Sequence, residues 1–373
     1  MFPPPAMGPF MHRIRNLLHS FTCFLCFLIL TSATSCNNSG SGAGSGSGAG
    51  SKTGALRIGF SMDSLQLERW QRDRDFFVER AKELGAETLV QSADGNDAVQ
   101  VRQAENLLTQ GVDVLVVVPH NGEIAASIVE SAKRQKVPVL AYDRIIRSSD
   151  LDFYISFDNV KVGELQAQYL LDHAPKGNYI LIGGSPTDNN AQLLRQGQMK
   201  VLRPATDSGA VKIAADQWAR DWMASEALRH TENALTQTKN NVAAVVASND
   251  STAGGAVQAL EEQRLAGRVL VSGQDADLAA CQRIVAGTQS MTVYKPIRPL
   301  ASRAADIAVA LARHTSVESN AKVNNGTKDV PSYLLTPIAV DRNNMAQTVV
   351  KDGFVKMEDV YRNVPRDQWP KGN

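Results

Sequence analysis

From residue 55 onward the chain alternates short, almost wholly apolar runs with amphipathic stretches of helical period. That alternation restricts the fold more than any other feature. ALRIGFSM reads as a strand, and QLERWQRDRDFFVERAKELG as a helix stopped by Gly85. ETLVQSA, DAVQVRQAENLLTQG and VDVLVVVP repeat the unit, and GEIAASIVESAKRQK leads into VPVLAYDR. Strands apolar on both faces, separated by helices, imply a parallel sheet covered on both sides. After FYISFDN the pattern restarts with a helix from about Val160 to His173. GNYILIGGS, VKIAADQW, VAAVVASND, RVLVSGQDA and MTVYKP follow, with helices between most of them. About ten strands exceed one mononucleotide-type sheet, so the expected fold is α/β with two doubly wound parallel-sheet lobes.

The 373 residues, 43% hydrophobic and 21% charged, are enough for two cores. A formal net charge of +1 argues against a nucleic-acid partner, which would select a basic surface. Residues 1–35 have the composition of a signal peptide: MHRIRN is basic and LLHSFTCFLCFLIL is an apolar core too short to span a bilayer comfortably. Met11 is an alternative start. SATSC resembles a lipoprotein cleavage site, which makes Cys36 the expected lipid attachment, although Ala33 stands where Leu is usual. Cleavage without lipid is the alternative. Residues 36–54 are a Gly/Ser-rich tether suited to holding a domain near a membrane. Of the four cysteines only Cys281 falls in the folded part, so neither an internal disulfide nor a cysteine metal site is expected.

In open α/β sheets ligands bind beyond the carboxyl ends of the strands. Those ends here carry Met62 and Asp63, then Asp143 with Arg144, then Asp188, Asn189 and Asn190. Trp218 and Trp222 come next, followed by Asn249 and Asp250, Asp275, and Lys295. Asp and Asn after a strand also cap helices, and that is the better reading for Asp250 with Ser251, and an even one for Asp63 and Asn189. Capping does not explain Arg144, Lys295 or Trp222. Asp and Asn suit adjacent hydroxyls, Arg is a planar fork of donors, and Trp offers an apolar face to a sugar ring. Arg69, Arg144 and Lys295 balance Asp143, Asp188 and Asp275, which leaves no charge for an ionic ligand and points to a neutral polyol. GxxxxGK[ST], GxGxxG, GxSxG and HExxH are all missing, which argues against nucleotide, serine-hydrolase and zinc-protease chemistry. A glycosidase pair among the strand-end carboxylates is the weaker alternative.

GFSMDSLQLERWQRDRDFF, VDVLVVVPHNG, VLAYDR, DFYISFDNVKVGELQA, GGSPTDNNAQL, VVASNDSTAGGAVQAL, SGQDADLA and GTQSMTVYKPI resemble the bacterial periplasmic D-xylose-binding proteins. These are substrate-binding components of ABC sugar importers, in the class of the ribose- and galactose-binding proteins. The likeness covers roughly residues 55–360. It implies sugar contacts from Arg69, Asp143, Arg144, Asp188, Asn190, Trp222, Asn249, Asp275 and Lys295, with Trp70 and Trp218 ranked below them.

The resemblance also implies a periplasmic binding protein fold of type I with a three-segment hinge. Residues 55–159 plus 296–325 would form the N-terminal lobe, and 160–295 plus 326–373 the C-terminal lobe. The chain would cross near 159–160, 295–299 and 325–331. The expected function is capture of a neutral monosaccharide, D-xylose first, and delivery to an ABC permease and its ATPase by hinge closure. A sensor that presents the sugar to a chemoreceptor or sensor kinase, or a related pentose or hexose binder, is the alternative. No enzymatic activity, cofactor, metal or nucleic acid is expected. A monomer outside the cytoplasm is, with membrane contact through the lipid on Cys36.

Overall fold

The computed structural model describes residues 54–370. The signal peptide, the proposed lipid site at Cys36 and nearly all of the tether lie outside the described residues. The chain runs β1 (Leu56–Met62), α1 (Glu68–Glu83), β2 (Ala86–Ser92), α2 (Asp97–Thr109), β3 (Val114–Val117), α3 (Ala126–Arg134), β4 (Val139–Tyr142), β5 (Phe153–Phe157). It continues α4 (Asn159–His173), β6 (Gly177–Gly183), α5 (Asn189–Asp207), β7 (Val211–Trp218), α6 (Ala224–Thr238), β8 (Ala244–Ala247), α7 (Asp250–Glu262), β9 (Leu270–Val271), α8 (Leu278–Ala286), β10 (Thr292–Tyr294). It goes on through α9 (Ile297–Ala312), β11 (Ala321–Asn324), β12 (Asp329–Leu335) and β13 (Ile338–Val340) to a π-helical turn (Ala346–Val350) and α10 (Met357–Val360).

β1 to β4 pair parallel in the order β2-β1-β3-β4, and β5 extends them. Every residue of β3, β4 and β5 is buried, as strands covered on both faces must be. In the second lobe β7-β6-β8-β9 form a smaller parallel sheet. This is the two-lobe α/β architecture that the alternation implied.

The helices that follow each lobe's fifth strand change sides. α4 leaves β5 and buries Val162, Ala167 and Leu170 in the second lobe, while α9 leaves β10 and buries Leu300, Ala304 and Ala308 against β1, β3 and β4. α4 packs close on α5, where Gly163 and Gly197 face each other's helix. A Cβ on either would stand 2.0 Å from a backbone oxygen of the other helix.

The third crossing departs from the expected boundary. β12 pairs parallel with β5, with Ser332 opposite Tyr154, and β11 pairs antiparallel with β12, so both finish the first sheet. The chain crosses only between Leu335 and Ile338, where β13 pairs with β10. The first-lobe part of this segment therefore runs about ten residues past 325. The physical reason is β5: wholly buried, it needs a hydrogen-bond partner on its outer edge, and β12 supplies it.

Candidate functional site

The strand ends of both lobes converge on one narrow space, which the side chains around it fill to leave about 20 Å³ free. Arg69, Trp70, Asp143, Arg144, Asp188, Asn190, Trp222, Asn249, Asp275 and Lys295 all face it. Trp218 does not. Its indole lies against Gly183 and under the Arg195 guanidinium, 4.8 Å from ring centroid to Cζ. Side chains alternate along β7, so the aromatic that ends the strand points away while Trp222, after the turn, points in. Leu67, Asn159 and Gln274 complete the lining; Asn159 ends the FYIS strand, while the strand-end reading did not single out Leu67 or Gln274.

Two aspartates occupy matching places. Asp143 follows β4 and Asp275 follows β9, the fourth strand of each lobe. Both are left-handed, with φ 61 and 98, and each donates its backbone N–H to the next strand, Asp143 to Ile155 O at 2.7 Å and Asp275 to Val293 O at 2.9 Å. Asp tolerates this backbone better than most side chains, and the turn aims both carboxylates into the cleft. Trp222 is also left-handed, at φ 60, as is Asp221 before it. For a bulky residue that conformation is costly, and it persists because Trp222 Nε1 donates to Asp188 Oδ2 at 3.2 Å and the ring packs on Gly184.

Ion pairs cross the cleft. Arg69 on α1 meets Asp143 at 3.0 Å and Asp275 of the other lobe at 3.4 Å. Lys295 meets Asp275 at 3.0 Å and Asp143 at 4.0 Å. Arg144 pairs with Asp188 of the other lobe at 2.8 Å. Asn190 Nδ2 donates to the Asp143 carbonyl at 2.9 Å. The lobes are therefore closed on one another.

Two carboxylates change the balance of three against three. Asp73, one turn after Arg69 and fully buried, accepts from its Nε at 3.1 Å and from Tyr142 Oη. Asp63 accepts from Arg144 Nη1 at 2.7 Å and contacts His120 Nδ1 at 2.7 Å. The conclusion drawn from balance survives on stronger ground, since every cation in the cleft already holds at least one carboxylate and none is left for an anionic ligand.

Burial works against ionisation of Asp143, but Arg69, Lys295 and Arg144 overcome it and hold its carboxyl below the ordinary value. For Asp188 and Asp73 burial wins over the neighbouring arginines and raises the pKa. The hydrogen bond to Asp63 raises His120.

Capping falls differently from the expectation. Asn249, not Asp250, caps α7: its Oδ1 accepts from Thr252 N at 2.9 Å in a capping box. Asp188, not Asn189, caps α5 through Asn190 N at 2.9 Å. Both residues therefore cap a helix and face the cleft. Asp63 caps no helix and serves Arg144 and His120 instead. Three residues that line the space each carry a side-chain atom buried without a partner among the described residues: Asn190 Oδ1, Gln274 Oε1 and Trp70 Nε1.

The fold and cleft define a bilobal solute-binding protein, and residues 58–316 match the periplasmic binding protein domain model. The chain belongs to that family. It is 58% identical over 306 residues to the D-xylose-binding periplasmic protein of Haemophilus influenzae and 57% identical over 305 residues to that of Escherichia coli. In each case the match covers 82% of this chain and 92% of the relative. A carbohydrate transporter solute-binding protein from Chloroflexus aurantiacus, solved with D-glucose, superposes with a TM-score of 0.77 at 31% identity, covering 82% of this chain and 98% of the other. Membership of this family places the protein's work in the periplasm.

Proposed function

We propose that the protein captures a neutral monosaccharide, D-xylose first, between its lobes and presents it to an ABC-transporter permease. One observation carries the reading: all the cleft's cations are paired, yet Asn190 Oδ1, Gln274 Oε1 and Trp70 Nε1 lack partners. Buried polar atoms without partners are costly, and the hydroxyls of an uncharged sugar satisfy acceptor and donor alike. Trp222 supplies a face for the C–H side of the ring. The relatives named for D-xylose agree with this chemistry.

A sugar held by both lobes binds the closed form better than the open one, so it shifts the population toward closure. The closed outline is what a permease reads. The sugar leaves unchanged in this mechanism, and recovery of intact xylose after incubation tests that. We assign Cys36 as the lipid anchor and the monomer as the working state. Loss of the protein from the membrane fraction in Cys36→Ala would support the anchor, and an unchanged distribution would remove it.

The deciding experiment is a thermal-shift screen of the mature chain over pentoses and hexoses. A ligand at 100 times its Kd adds about 2.7 kcal/mol to stability, so a selective rise with D-xylose is expected. No rise with any uncharged monosaccharide overturns the reading.

A further inference from the structure

Leu67 breaks a local rule. It is the N-cap of α1, a position where Ser, Thr, Asp or Asn would bind the free amides, and its side chain makes no capping bond. Among the described residues it is also the one aliphatic side chain lining the inner space; all the others there carry polar side-chain atoms.

The inner space has a larger neighbour of about 330 Å³, with Asp63, His120 and Ser225 in its walls. Three side chains face both spaces: Leu67, Arg144 and Trp222. Arg144 and Trp222 are fixed by Asp188. Leu67 is held by packing alone, half-buried against the cluster that contains Trp222.

A pentopyranose carries a hydroxyl on each ring carbon except C5, whose two substituents are hydrogens. In a hexopyranose that same carbon bears the exocyclic CH2OH. A site of polar groups with a single aliphatic member matches a ring with a single hydroxyl-free corner. We infer that Leu67 lies against C5 of the sugar and is the residue that rejects hexoses, by filling the passage to the outer space. The inference rests on the monosaccharide reading above and names what sets its selectivity.

Calorimetric titration of the full mature chain with D-xylose and D-glucose tests it in wild type, Leu67→Ala and Leu67→Asn. Asn is a good N-cap, so the second variant keeps α1 anchored while opening the passage. The glucose-to-xylose ratio of Kd should fall at least 10-fold in both variants, chiefly through tighter glucose binding. An unchanged ratio overturns the inference, as does wild type binding glucose as tightly as xylose. Loss of both sugars in both variants makes Leu67 a structural residue and also overturns it. Wild type that binds no monosaccharide sinks the parent reading instead, a result separable from the others.

Discussion

Arg144 of the first lobe forms an ion pair with Asp188 of the second, its Nε 2.8 Å from Oδ2. The same oxygen accepts from Trp222 Nε1 at 3.2 Å, while Asp188 Oδ1 caps α5 through Asn190 N. One carboxylate thus anchors a helix, holds an aromatic wall and joins the lobes. Closure, wall and helix terminus are coupled, because a shift of Asp188 disturbs all three.

Asp275→Ala and Arg144→Ala should each weaken sugar binding more than 100-fold while leaving the fold intact. Removing one member of a buried ion pair costs about 3–5 kcal/mol through the charge left behind. That charge is chiefly Lys295 in the first variant, and Asp63 with Asp188 in the second. It regains water when the cleft opens, so the cost falls on closure rather than on folding. Titration calorimetry with circular dichroism checks this; unchanged affinity in both variants refutes the site.

Asp73→Asn should loosen Arg69, since Asp73 fixes two of its nitrogens, at 3.1 and 3.3 Å. A loss of about 1–3 kcal/mol in sugar binding is expected for one charged hydrogen bond. Because Asp73 would act through Arg69, Asp73→Asn and Arg69→Lys should be non-additive in a double-mutant cycle. Additive losses would detach Asp73 from the site.

Gly184→Ala should damage the wall. A Cβ there would stand 2.2 Å from the Trp222 ring, and the ring is held by strained backbone and by Asp188. Overpacking of this kind costs about 1–3 kcal/mol. A lower Tm together with weaker sugar binding is expected, and wild-type values for both would contradict the packing described.

His120 should make stability depend on pH. Its folded pKa is raised by the hydrogen bond to Asp63, so its contribution is fully present below the unfolded value of ~6.5 and is lost as pH rises through the higher folded value. Its Nε2 lies 3.7 Å from Asp221 of the other lobe, so the proton also favours closure. Thermal unfolding of wild type should show stability declining above pH 6.5, and His120→Gln should flatten that decline. Parallel curves for the two proteins would remove the role.

Much of this was legible in local sequence. Alternating apolar runs and amphipathic helices specified parallel α/β lobes because burial on two faces imposes its own periodicity on a strand. Arg144, Lys295 and Trp222 stood out because no capping role accounts for them after a strand. The resemblance carried Arg69, which sits inside a helix where strand ends give no sign of it.

Tertiary structure decided the rest, because the deciding contacts join residues far apart in the chain. Arg69 meets Asp275 across 206 positions, and whether Trp218 or Trp222 faces the cleft depended on the turn between them and on room beside Gly183 and Gly184. Asp73 looked like any acidic residue on an exposed helix until burial placed it behind Arg69. β12 joined the first sheet because the open edge of β5 needed hydrogen bonds, a demand raised more than 170 residues earlier and invisible in the strand that answers it. Sequence sets periodicity and the chemistry at element ends; pairing partners and the facing of side chains follow from how the finished layers close against each other.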